Sequence, residues 1–172
     1  MMRRLAALLA LFACGSASAQ TTQSCVTPAE AEALVLFVAP ELIRQAGARC
    51  ANALPATALI RRTSGPFLAR YEAETDAAWP QAKAALGRLT APQAIQLLDS
   101  SFAAPIVASL IAPMVVGNID PADCPRIERA ANLVQSLPPR NVAGLVVLFA
   151  QIDADRPNPQ MRLPLCGQRA RN

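Results

Sequence analysis

The sequence predicts an all-α protein: a single-domain helical bundle of about five to seven kinked helices, stapled by two disulfides. Three observations carry this. Capping residues followed closely by proline recur at Thr27-Pro28, Thr90-Ala91-Pro92 and Asp120-Pro121, the pattern of helix starts. Between those starts, apolar residues return at three- and four-residue steps. No stretch alternates apolar and polar residues with the period of two that marks a half-buried strand.

The first helix should begin at Pro28, where Thr27 and Glu30 form a reciprocal capping box. Ala31, Leu34, Val35, Val38 and Leu42 give it one inward face. Pro40 should kink or break it, and Gly47 is a plausible stop. Leu54 to Arg62 suits a short helix that turns Leu59 and Ile60 inward, with Arg61 and Arg62 toward solvent. Ser64-Gly65-Pro66 then opens the longest amphipathic segment, Pro66 to Leu89, bent but not ended by Pro80. Its stripe holds Leu68, Tyr71, Thr75, Ala78, Trp79, Ala82, Leu86 and Leu89. Tyr71 and Trp79 are the sole Tyr and Trp, and on such a stripe they are read as core rather than as the wall of a ligand pocket.

After the start at Thr90, Ile95, Leu98 and Phe102 lead into Ser100 to Ile119, which carries no charged side chain between Asp99 and Asp120. The expectation is a fully buried helix broken by Pro105 and Pro113, with Ile106, Leu110, Ile111 and Val115 nearly inaccessible. A transmembrane helix is the rival reading on length alone. The segment has an Asp at each edge, no flanking Lys or Arg and no Trp or Tyr, so stable membrane insertion is not expected. Asp120 opens a further helix through Leu137, with Ile127, Ala130, Val134 and Leu137 inward and Arg126, Glu128 and Arg129 outward. Pro138-Pro139 stops it. A last helix from about Asn141 carries Val142, Leu145, Val146, Leu148, Phe149 and Ile152, apolar enough to be largely buried. The resemblance of LVLFVA (34–39) to LVVLFA (145–150) is of the kind that chance supplies in so Leu-, Val- and Ala-rich a chain.

The N-terminus reads as a secretory signal. Arg3 and Arg4 precede an apolar run from Leu5 to Ala13, and Ala17-Ser18-Ala19 forms an A-x-A cleavage site. The expected organisation is a signal peptide over 1–19, a helical domain over 20–155, and an irregular basic tail over 156–172 tied down by Cys166. Losing Arg3 and Arg4 lowers the net charge from +4 to +2, so the tail arginines are read as solvated and no nucleic-acid partner is expected. Leu11-Phe12-Ala13-Cys14 resembles the lipobox of bacterial lipoproteins, and lipidation of Cys14 is the alternative fate of this end. Otherwise Cys25, Cys50, Cys124 and Cys166 remain. An even number in an exported chain implies disulfides, whereas zinc would require C-x-x-C pairs or His. The expected pairing is Cys25 with Cys50 and Cys124 with Cys166. The first bond demands a hairpin at Pro40, because an unbroken helix would hold its ends about 30 Å apart.

The chain has no histidine, which removes Ser-His-Asp and Cys-His catalysis and HExxH zinc sites. No GxSxG, GxGxxG or GxxxxGK[ST] motif occurs. Glu72, Glu74 and Asp76 fall on different sides of a helix and read as a solvated face. No catalytic residue, metal ligand or cofactor is therefore expected. The expected function is that of a non-enzymatic exported protein, periplasmic or secreted. It would bind a protein partner or a small apolar ligand held between helices. The alternatives are an envelope enzyme that uses carboxylates or arginines without His, and a membrane-attached component tethered at Cys14 or inserted through 100–119.

Overall fold

The computed structural model describes residues 25–156 and 163–167; the expected signal peptide, Cys14 and most of the expected tail lie outside them. Six α-helices run in order: α1 (Pro28–Arg49), α2 (Pro66–Leu89), α3 (Pro92–Leu98), α4 (Ala103–Val116), α5 (Cys124–Val134) and α6 (Pro139–Ala154). Two 3-10 turns, Leu59–Arg61 and Pro121–Asp123, are inserted between them. Among the described residues the only β pairing is a single bridge, Val26 with Leu165. The fold is all-α and carries two disulfides.

α1 is the axis, with α2, α4 and α6 packed around it. Its start follows the capping box: Thr27 Oγ1 accepts from the Glu30 amide at 3.3 Å, and Glu30 Oε2 accepts from the Thr27 amide at 2.9 Å. Contrary to expectation, Pro40 neither breaks the helix nor folds it into a hairpin. Leu36, Phe37, Val38, Ala39 and Pro40 are all buried. That packing offsets the roughly 3 kcal/mol that an internal proline costs. α2 lies antiparallel to α1, as three contacts require: Arg44 pairs with Glu72, Phe37 stacks on Trp79 with centroids 4.7 Å apart, and Arg88 reaches Glu30 at 3.2 Å. Tyr71 is buried, as expected, whereas Trp79 is half-buried: it packs on the core through Phe37 and also lines a recess with Lys83, Ile95 and Leu98.

Gly47 is not the helix stop. It sits inside α1, where the turn Leu59–Arg61 crosses the helix, and a Cβ there would meet the Ile60 carbonyl oxygen at 2.2 Å. Gly→Ala inside a helix ordinarily gains about 1 kcal/mol. At Gly47 the sign reverses, because the obstacle is backbone. Gly47→Ala is expected to destabilise by about 1 to 3 kcal/mol, the range for overpacking, and a raised urea midpoint would contradict this.

The expected cysteine pairing is also wrong. Cys25 bonds Cys166 and Cys50 bonds Cys124, with Cα separations of 5.0 and 5.6 Å. Since α1 runs unbroken from Pro28 to Arg49, it holds Cys25 and Cys50 at opposite ends, beyond the reach of a bridge. The first disulfide is flanked by the Val26–Leu165 bridge, in which the Val26 amide donates to Pro164 O at 2.8 Å and the Cys166 amide to Val26 O at 2.9 Å. Two such bonds fit an oxidising compartment.

α5 attaches differently from the others. Of its residues only Cys124 is fully buried; Ile127 packs inward as expected, beside Cys50, Ile60 and Cys124, whereas Ala130 is exposed and Val134 and Leu137 are only half-buried. Glu128, expected to face outward, instead clasps the opposite turn: its carboxylate accepts from the Leu59 amide at 2.7 Å, the Ile60 amide at 3.1 Å and the Asn132 side chain at 2.7 Å. Partial burial alone would raise the pKa of Glu128. The two amides, Asn132 and the Arg62 charge outweigh it and hold the carboxyl below 4.5. Glu30 behaves alike: burial is outweighed by Thr27 and Arg88. Both groups therefore contribute stability that is complete above about 4.5 and is lost as the pH falls through their lowered folded values. Glu128→Ala is expected to cost about 2 to 3 kcal/mol, as for hydrogen bonds to a charged group. Glu128→Gln should flatten the acid limb of a thermal-denaturation series; an unchanged limb would remove Glu128 from this role.

Candidate functional site: an uncharged groove between α2, α3 and α4

The uncharged segment does not form a buried helix. The chain breaks at Asp99–Phe102, between α3 and α4, rather than at either proline. Pro105 falls in the first turn of α4, where an amide has no intrahelical acceptor. Pro113 sits inside the helix and supplies no amide to the carbonyl four residues back, that of Ser109, an exposed residue. α4 packs mainly on α1, so only one of its faces is covered. That face is mostly alanine and valine: Ala103, Ala112 and Val116 are buried, and Ala104, Val107, Ala108 and Ile111 pack against the α1–α2 core.

The large side chains point the other way. Ile106, Leu110 and Val115, expected to be inaccessible, are 53%, 62% and 52% exposed; only Ile111 is half-buried. Phe102, Ile106, Leu110 and Met114 follow one another at four-residue steps and form an exposed apolar row. Monomeric proteins rarely leave contiguous apolar patches of more than a few hundred Å² open to water. α6 shows a milder version: Ala143, Val147 and Ala150 are buried on α1, while Leu145, Val146, Leu148, Phe149 and Ile152, expected inside, are exposed. No single helix among the described residues is long and apolar enough to span a bilayer; α4 passes that test only jointly with Pro121–Val134, bent away from it by 91°.

Beside the row lies a concavity of about 370 Å³, lined by Leu86 of α2, Leu97 and Leu98 of α3, and Ile106, Leu110 and Ile111 of α4. Its two hydroxyl side chains are already engaged, since Thr90 Oγ1 donates to Leu86 O at 2.8 Å and Ser100 Oγ to Leu97 O at 2.9 Å. Thr90 therefore closes α2, and α3 begins at Ala91 without a side-chain cap. Lys83 of α2 is paired with Asp99.

The other recesses are more polar. Glu32, Glu74, Gln81 and Arg140 surround a space of about 170 Å³ between α1, α2 and α6, where Arg140 bonds Glu74 at 2.9 Å. Two acids thus line one recess, and it is smaller than the 300 to 1,000 Å³ typical of ligand sites. Glu72, read as part of a solvated face, is paired with Arg44. No group of three or more metal-ligating side chains occurs among the described residues, and the four cysteines are consumed by the two bridges. No protein-family model, curated protein or solved structure matches this chain, so any functional assignment comes from its own residues.

Proposed function

We propose that the chain is an exported, non-enzymatic binding protein, periplasmic or secreted, that works through the uncharged α3–α4 face. The observation that carries this reading is the exposed row Phe102, Ile106, Leu110 and Met114 beside an apolar groove. Leaving such a row in water is unfavourable by about 25 cal/mol per Å², a cost that binding would recover. Native mass spectrometry of the protein purified from its own host tests it. The wild type should retain a bound molecule or partner, and Leu110→Glu should lose it. A wild type that arrives bare and alone would overturn the reading.

An envelope enzyme is the second reading, and the Glu32–Glu74 recess is what favours it. Arg140 speaks against it by compensating one of the two carboxylates. A membrane tether at Cys14 is the third, and intact mass decides it: a product beginning at Gln20 excludes the lipid.

A further inference from the structure

We propose that the recess at the start of α2 is a second binding site, for a small organic phosphate monoester. It shares no residue with the α3–α4 groove and does not rest on that face. The recess has a volume of about 450 Å³, within the 300 to 1,000 Å³ typical of ligand sites. Arg62, Ser64, Arg70 and Gln135 give it a polar wall, and Pro66 and Phe67 an apolar one. Two cations therefore line one concavity whose wall carries no acid.

The two guanidiniums are fixed in place but not neutralised. Arg62 Nε and Nη2 donate to Thr57 O at 3.1 and 2.9 Å, while Arg70 donates through Nη1 to Leu137 O at 3.4 Å and through Nη2 to Gln135 O. A guanidinium has five N–H donors, so more than half of each fork remains for a ligand. Arg44, Arg88, Arg126 and Arg140 each have a carboxylate within ion-pair distance; among the described residues neither Arg62 nor Arg70 has one. Glu128 feels the Arg62 charge, but its oxygens are committed to the Leu59 and Ile60 amides and to Asn132. Planar forks held in this way suit the bidentate capture of phosphate oxygens.

α2 adds to the same field, since it starts at Pro66 with no side-chain cap and a helix N-terminus counts as about half a positive charge. Set against Glu128, the two arginines and the helix leave an excess of about one and a half charges. A phosphate monoester carries roughly −1.5 to −2 at pH 7 and meets that excess, whereas a carboxylate leaves part of it unmet. Phe67 is held edge-on to Tyr71 with centroids 5.4 Å apart. With Pro66 it faces the rest of the ligand, so the body that bears the phosphate is apolar.

The test is calorimetric titration of the oxidised full chain at low salt with phenyl phosphate, inorganic phosphate, benzoate and phenol. One phenyl phosphate should bind per chain, more tightly than inorganic phosphate or benzoate, and phenol should give no heat. Arg62→Gln should weaken phenyl phosphate by about tenfold or more, as for the loss of a hydrogen bond to a charged group. Ser64→Asp, at an exposed position, puts a competing carboxylate into the recess and should do the same with the helical circular dichroism unchanged. Arg126→Gln removes the same charge at the opposite end of α5 from Gln135 and should leave binding as it was. No heat from phenyl phosphate at millimolar concentration, inorganic phosphate or benzoate binding as tightly, an equal loss in Arg126→Gln, or binding only to vesicles containing phosphatidic acid would each overturn the inference. So would phenyl phosphate binding that survives both Arg62→Gln and Ser64→Asp.

Discussion

Replacing Cys50 and Cys124 together by Ala is expected to lower stability by about 2 to 5 kcal/mol, read as a drop in the urea midpoint. The bond closes a loop with a sequence separation of 74, and the chain-entropy argument gives about 4 to 5 kcal/mol for a loop of that length. α5 makes the effect local as well. Its remaining ties to the 3-10 turn at Leu59 are the Glu128 clasp and the packing of Ile127 and Ala131 beside Ile60, so hydrogen exchange should accelerate first over Cys124–Val134. A loss below about 0.5 kcal/mol, the scale of a surface change, would mean that α5 is held by packing after all. Non-reducing peptide mapping should join Cys25 to Cys166 and Cys50 to Cys124.

Phe37→Ala is expected to cost about 3 to 5 kcal/mol, while Leu110→Ala changes stability by no more than about 0.5 kcal/mol. Phe37 is 2% exposed, stacks on Trp79 and belongs to the cluster that joins α1, α2, α4 and α6. Leu110 lies on the open side of α4. Chemical denaturation of the two variants side by side decides the matter, and a Leu110→Ala loss above about 2 kcal/mol would make the uncharged segment core.

Much of the fold was legible because its signals are local. Pro66 and the preceding Gly65 set the start of α2, and the stripe Leu68, Tyr71, Ala78, Ala82 and Leu86 is buried as its spacing implies. The capping box at Thr27 and the inward Leu59 and Ile60 are of the same kind. What was not legible depends on which face of a helix finds a neighbour. Hydropathy counts Leu110 and Leu148 as core candidates, yet α4 and α6 turn mainly alanine and valine inward and leave most of their larger side chains outside. The signal that carried this was a row of small residues, Ala104, Ala108 and Ala112, opposite the row Phe102, Ile106, Leu110 and Met114. The groove was legible only as an uncharged stretch, since its wall draws on three helices. Glu128 looked like one more surface acid because its partners, the Leu59 and Ile60 amides, lie more than 65 residues away.

α1 also acts as a ruler during oxidation of the chain. Cys25 and Cys50 are the first two of the four bridging thiols to be synthesised, and order of emergence alone would join them. Once its 22 residues are helical, α1 spans about 33 Å, and neither thiol can reach the other. Cys50 must wait for Cys124, and Cys25 for Cys166, so the bonds are nested and the outer one can close only after both partners of the inner one have been made. The outer bond therefore reports that synthesis has passed Cys166: a chain cut short before it is left with Cys25 as an unspent thiol, open to exchange with any disulfide it meets.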